Sequence, residues 1–326
     1  MDGYCFRGFG CNLEYCIMET IIKVSGLTKR FREVTAVDNL SFTVERGETY
    51  GFLGQNGAGK STTIRMLLTL VEPTNGRVEI FGKELKTNKL AILKATGAVI
   101  EKPDLYKFLT AFENLSIFAR LSGLRLSSSA LMKRLERVGL AERANSKVRT
   151  YSQGMKQRLG IAVALVHDPE LIILDEPANG LDPKGIADMR NLILHLSHDL
   201  NKTVLVSSHL LSEIEQIADR LLIIDKGRKI VEGRISELLD PSNMLLELNT
   251  SNNEFALHLI KQTDWINSVK SERNKLVIQL HQRQIPQLIR LLVERNVDIL
   301  SVGSKHLLED FFLSLTRDRA LLNIEH

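Results

Sequence analysis

The sequence predicts an α/β protein built on parallel strands, followed by a smaller α+β region. Three observations carry this. From residue 19 to about 239, apolar runs of strand length alternate with amphipathic runs of helix length. A glycine-rich turn joins one of those strands to a helix. A second, wholly apolar strand ends in two acids.

The elements follow in order. Ile21 to Val24 is the first strand-like run, and Glu48 to Leu53 is a short strand running into the glycine-rich turn. Lys60 to Leu70 reads as a helix, Pro73-Thr74-Asn75-Gly76 as a turn, and Arg77 to Phe81 as an alternating strand. From about Lys102 to Lys147 the pattern is helical only. Thr110-Ala111-Phe112-Glu113 has the capping-box form, and Leu131, Leu135 and Val138 recur at helical spacing. The alternation then resumes with strand Leu171 to Leu174, helix Lys184 to Leu200, and strands Thr203 to Ser207 and Leu221 to Ile224.

Asp240-Pro241-Ser242-Asn243 reads as a linker. Beyond it, Met244 to Leu248, Lys275 to Leu280 and Asp298 to Val302 read as strands. Glu254 to Lys261, Ile285 to Glu294 and Leu307 to Leu315 read as helices. The expected division is therefore an extension over 1–18, a nucleotide-binding domain over 19–239, and a small α+β accessory domain over 240–326.

Bulk composition agrees with this plan. A chain of 326 residues suggests about two domains at roughly 150 residues each. Hydrophobic residues at 44% and charged residues at 25% suit a globular chain with a sizeable core. The net charge of +4, from 43 basic and 39 acidic residues, is too mild to suggest a nucleic-acid partner, and none is expected. No apolar run approaches the 18 or so residues of a membrane span. Cys5, Cys11 and Cys16 all lie in the first sixteen residues, without a CxxC pair or a nearby histidine, so a metal site there is not expected. That segment reads as a disordered extension, with Met18 just ahead of the first strand. The absence of cysteine beyond it fits a cytosolic protein.

Gly54-Gln55-Asn56-Gly57-Ala58-Gly59-Lys60-Ser61 fits GxxxxGK[ST]. Glycines let such a loop curl so that several N–H groups face phosphate oxygens, and the following helix adds its positive end. Lys60 supplies charge to the outer phosphates, Ser61 a hydroxyl for Mg²⁺, and Thr62, next in the first helical turn, is expected to bind the nucleotide as well. Leu171-Ile172-Ile173-Leu174-Asp175-Glu176 brings two acids to the end of a strand beside that loop. Asp175 is suited to hold Mg²⁺ through water, and Glu176 to orient or deprotonate an attacking water. ATP and Mg²⁺ are the expected ligands.

Further residues carry a family resemblance. Tyr151-Ser152-Gln153-Gly154-Met155-Lys156-Gln157-Arg158 resembles the signature sequence of ATP-binding-cassette (ABC) ATPases. Asn179-Gly180-Leu181-Asp182 resembles their D-loop, His209 their switch histidine, and Phe31 the aromatic that stacks on adenine. The resemblance spans residues 20 to 235. It implies a P-loop NTPase with a RecA-like core, an N-terminal antiparallel β region and a helical subdomain. It further implies two cassettes facing head to tail, homo- or heterodimeric. Ser152 and Gly154 of one would contact the γ phosphate held by the other, with Asp182 and His209 at the same interface. Ser152 at a helix start suits an anion, and a simple helix cap is the lesser alternative. His167, His195 and His198 read as ordinary helix-surface or helix-end residues.

The sequence departs from the common pattern in two places. Glu101, in Gly97-Ala98-Val99-Ile100-Glu101-Lys102-Pro103, stands where most of the family has glutamine. This resembles the E-loop of ATPases that export bacitracin and lantibiotics, as do Leu105 to Leu115 and Asp175 to Gly180. A carboxylate there could ligate Mg²⁺ more strongly than an amide. Gln153 replaces a glycine usual in the signature. The stretch Leu308 to Thr316 resembles the end of exporter-type cassettes. The resemblance implies the energy subunit of a peptide-antibiotic exporter, bound to separate transmembrane permease subunits on the cytoplasmic face of the membrane. Export of another drug, a lipid or a polysaccharide is the alternative. A soluble ABC ATPase acting on ribosomes or DNA is disfavoured by the single phosphate loop and the lack of sustained heptads.

Overall fold

The computed structural model describes residues 19–238, 244–263, 265, 269–272 and 275–306. The expectations for residues 1–18, for the linker at 240–243 and for the stretch 307–316 lie outside them.

The N-terminal part runs β1 (Thr20–Phe31), β2 (Val34–Glu45), β3 (Thr49–Leu53), α1 (Lys60–Leu67), β4 (Asn75–Ile80), β5 (Lys83–Glu84), α2 (Lys89–Lys94) and β6 (Thr96–Val99). The helical stretch follows as α3 (Ala111–Leu121), α4 (Ser128–Arg137) and α5 (Gln153–Ala164). Then come β7 (Leu171–Asp175), α6 (Pro183–Leu194), β8 (Thr203–Ser208), α7 (Leu211–Ile214), β9 (Arg220–Asp225), β10 (Arg228–Arg234) and α8 (Ile235–Leu238). The C-terminal part contains β11 (Met244–Thr250), α9 (Asn253–Ile260), β12 (Val269–Glu272), β13 (Lys275–Leu280), α10 (Ile285–Glu294) and β14 (Ile299–His306).

A six-stranded sheet in the order β10-β9-β3-β8-β7-β6 forms the centre, parallel except for the edge strand β10. Its interior strands β9, β3, β8 and β7 are buried on both sides, which is why they read as unbroken apolar runs. Successive side chains nevertheless go to opposite faces. Tyr50, Phe52, Ile173, Leu205 and Leu222 pack toward the four-stranded antiparallel sheet β2-β1-β4-β5 and α1. Leu53, Ile172, Leu174, Val206 and Leu221 pack toward the helical side, with Leu115, Leu131, Leu135 and Leu159. Phe42 of β2 stacks on both Tyr50 and Phe52, with centroids 5.8 Å apart in each case. Gly51 makes room for α7, because a Cβ there would lie 2.3 Å from Ile214 Cγ2.

The helical stretch begins as its sequence predicts. Thr110 caps α3 by accepting from Glu113 N–H, and the Glu113 carboxylate accepts from Thr110 N–H in return. Two expected helices end early. The one starting at Lys60 stops at Leu67, where Thr69 takes a left-handed φ of 59°. The one expected to reach Leu200 changes after Leu194 into a π-helical turn, His195–Asp199, closed by His195 Nδ1 at 2.6 Å from Asp199 Oδ2.

The C-terminal strands form a third sheet, β12-β13-β11-β14, antiparallel throughout. Each helical crossover skips one intervening strand, a split βαβ unit made twice. Its core gathers Leu246, Leu248, Ile260, Leu276, Ile278, Leu288 and Leu292.

Candidate functional site

The order of the central sheet places β3 between β8 and β9, in a different sheet from its sequence neighbours β2 and β4. Ligands of such sheets bind beyond the strand ends at these crossovers. The loop Gly54–Gly59 leaves β3 at that point, with Gly57 at φ 79° and Gly59 at φ 107°. A Cβ on Gly59 would lie 2.5 Å from Ala36 O, so only glycine lets the loop rest on β2. Two backbone bonds fasten it further. Gly227 N–H donates to Ala58 O at 2.9 Å, and Asp38 N–H donates to Gly227 O at 2.9 Å.

Lys60 is buried at the start of α1. Its ammonium donates to Gly54 O at 2.6 Å and lies 3.0 Å from Glu176 Oε1. Glu176 Oε1 accepts no aligned hydrogen bond, so this second contact is an ion pair. The other oxygen, Oε2, lies 2.7 Å from His209 Nδ1. Glu176 holds a left-handed φ of 51°, a conformation a glutamate adopts only under constraint. The constraint is Ser207, whose Oγ accepts from Glu176 N–H at 2.9 Å and donates to Asp175 Oδ1 at 2.5 Å. Asp175 and Ser207 are paired across β7 and β8.

Asp175 is 1% exposed, and its Oδ2 has no hydrogen-bond partner among the described residues. A buried carboxylate oxygen left open beside a phosphate-type loop is what a hard cation would occupy. Among the described residues no group of three or more His, Cys, Asp or Glu forms a metal cage. This agrees with Mg²⁺, which typically takes one or two carboxylates and completes its shell with phosphate and water. Asp175 and Ser61 fit that donor set. Ser61 and Thr62 are half-buried in the first turn of α1, and Gln55 and Asn56 lie on the outer rim of the loop.

The remaining predicted residues fall elsewhere. Ser152 caps α5, its Oγ accepting from Met155 N–H at 3.3 Å, so the cap reading of this residue holds. Asp182 caps α6, accepting from Gly185 N–H at 3.0 Å. Ser152, Gly154, Gly180 and Asp182 line one cavity of about 450 Å³. No hydrogen bond or ion pair among the described residues joins this group to Lys60, Glu176 and His209. Phe31 is exposed at the end of the β1–β2 hairpin, with Lys29 Nζ 4.9 Å from its ring centroid. Glu101 lies outside the Lys60 cluster too. It takes a left-handed φ of 56° and pairs with Arg65 on α1.

Ser207 and Arg65 escaped the sequence reading. The signal for Ser207 was its position at a strand end level with Asp175. For Arg65 it was the spacing of four residues from Ser61 on a predicted helix.

Comparisons with known proteins agree with this geometry. Residues 37–179 match the family described as ABC transporter. The bacitracin transport ATP-binding protein BcrA of Bacillus licheniformis is 44% identical over 300 residues, covering 91% of this chain and 98% of that protein. The lantibiotic transport ATP-binding protein SrtF of Streptococcus pyogenes is 39% identical over 212 residues, covering 65% of this chain and 90% of its own length. A dimeric ATP-binding cassette solved in a post-hydrolysis state with ADP and Pi superposes with a TM-score of 0.59 at 26% identity, covering 66% of this chain and 99% of that one. Identity of this order along nearly the whole of both chains, on a shared fold, makes this protein a member of the ABC transporter ATP-binding family and an ATPase.

Proposed function

We propose that the chain hydrolyses ATP to drive export of a peptide antibiotic, of the bacitracin or lantibiotic kind, through a separate transmembrane permease. The observation that carries the reading is the convergence of Lys60, Asp175, Glu176 and His209 at one end of the central sheet. The names of BcrA and SrtF supply the cargo class. The N-terminal region 19–239 is the nucleotide-binding domain in this reading, and 240–326 is an accessory domain. Among the described residues no helix is long and apolar enough to cross a membrane. The proposed place of the chain is the cytoplasmic face, docked to the permease.

Lys60 is held by Gly54 O and Glu176. An arriving triphosphate takes the ammonium and frees Glu176, which His209 still orients at 2.7 Å. Glu176 then accepts a proton from the attacking water, a contribution of about 10² to 10⁴ in rate. Ser61 and Asp175 would hold Mg²⁺, whose charge would offset that of the phosphates. The Ser152, Gly154 and Asp182 group lies apart from this cluster, so in this reading it serves the nucleotide of a second cassette. Phe31 receives the base, and the loop carrying exposed Tyr106 and Phe108 faces the permease.

Glu176→Gln tests the proposal. ATPase activity is expected to fall by at least about 10²-fold with ATP binding retained. Cells carrying the cognate permease are expected to lose bacitracin or lantibiotic resistance. Full resistance with this variant would refute it.

A further inference from the structure

Glu101 is exposed, yet it is not free. Its carboxylate is paired with the guanidinium of Arg65, and among the described residues neither group has another ion-pair partner. Arg65 stands four residues after Ser61 on α1. Residues so spaced share one helix face, with Cβ atoms about 5–6 Å apart. Helical side chains lean toward the N-terminus of their helix. The pair therefore lies one turn behind the hydroxyl assigned to the metal and on its side of the helix. The backbone of Glu101 is itself in a left-handed conformation, at φ 56°.

A carboxylate beside a phosphate site repels the phosphates until a cation screens it. Arg65 supplies that cation from within the chain. The pair is 40% and 63% exposed at its two ends, so water weakens it and it is easily exchanged for a stronger partner. A divalent metal is such a partner, since it takes carboxylate oxygens directly.

We infer that Arg65 is a positioning residue that competes with the nucleotide-bound metal for Glu101. Arg65 holds Glu101, and metal bound together with nucleotide would draw Glu101 away from it. Because Arg65 belongs to the phosphate-loop helix, the exchange ties occupancy of that loop to the segment running from Glu101 through Phe108. The inference rests on the proposed nucleotide site.

The test measures metal binding rather than turnover. Full-length protein is saturated with a non-hydrolysable ATP analogue, and Mn²⁺ is titrated while free Mn²⁺ is followed by electron paramagnetic resonance. Arg65→Gln is expected to tighten Mn²⁺ binding by about three- to five-fold, the scale of an exposed ion pair. In a Glu101→Gln background the same change is expected to have no effect. Arg65→Met, long and uncharged, is the second variant and is expected to match Arg65→Gln. Far-ultraviolet circular dichroism, expected to be equal in all variants, reports an intact fold. An unchanged or weaker Mn²⁺ affinity in both Arg65 variants overturns the inference, as does an equal gain with and without Glu101. Failure of the wild-type protein to bind the analogue would instead overturn the reading of the nucleotide site.

Discussion

Ser207→Ala removes one oxygen atom and two hydrogen bonds. Ser207 Oγ is fully buried, donates to the Asp175 carboxylate at 2.5 Å, and accepts from Glu176 N–H at 2.9 Å. A hydrogen bond to a charged group is worth about 1.5–3 kcal/mol, and an orphaned buried N–H costs about 1–3 kcal/mol. The two losses overlap, because the strand ends relax together, so about 3 kcal/mol is the expected destabilisation. A domain of this size loses about 2–4 °C in Tm per kcal/mol. Thermal unfolding without nucleotide, followed by circular dichroism, should therefore show a fall of about 6–12 °C. The ATPase rate should fall as well, because among the described residues only Ser207 Oγ accepts from Glu176 N–H in its left-handed turn. Ser208→Ala is the control: the neighbouring hydroxyl donates to Glu213 Oε2 at 2.7 Å, away from the two acids. A Tm within 2 °C or so of wild type for Ser207→Ala, at an unchanged turnover rate, would refute the role given to Ser207.

Two further predictions concern stability. Burial pushes the Glu48 carboxyl up to about 7, against the lowering influence of Glu45 N–H and Arg220. Folded Glu48 thus keeps its proton where an unfolded glutamate has lost it, so stability falls as pH rises from about 4.5 to 7 and then levels. Urea midpoints at pH 5 and 7.5 should differ less in Glu48→Gln than in wild type, by at most about 3 kcal/mol. Thr110→Ala breaks the capping box of α3. It should cost about 1 kcal/mol, seen as a Tm lower by about 2–4 °C.

Much of this molecule was legible in its sequence. The central strands β3, β7, β8 and β9 announced themselves because both faces are buried, which leaves little room for polar residues. Helix α10 was read to the residue, since Leu288 and Leu292 make a clear buried stripe. The strands that were missed have a different chemistry. β10, Arg228–Arg234, is a polar edge strand whose partner lies on one side only. β2 is interrupted at Asn39, which takes a left-handed φ of 50°, and register shifts in its pairing with β1 blur the alternation. The phosphate loop and the acidic strand end were visible as motifs because their chemistry constrains residue type. The hydroxyl of Ser207 and the guanidinium of Arg65 were not, because each acts through a neighbour that only the folded chain brings close. Ser152 carried two meanings, of which the structure supplies the local one, a helix cap, and Asp182, read only as part of a D-loop, caps a helix as well.

The backbone fastening of the phosphate loop has one more consequence. Ala58 and Gly59 are tied to Ala36, Asp38 and Gly227, and the strand carrying Ala36 and Asp38 continues directly from the hairpin that holds Phe31. For the proposed nucleotide, the end that meets the base and the end that meets the phosphates are set at a fixed span. Such a gauge measures the part of the molecule that ATP and ADP have in common. In the proposed dimer, telling the fuel from its spent form would then fall to groups that stand off the gauge: Glu176 and His209 on one chain, and Ser152 on the next.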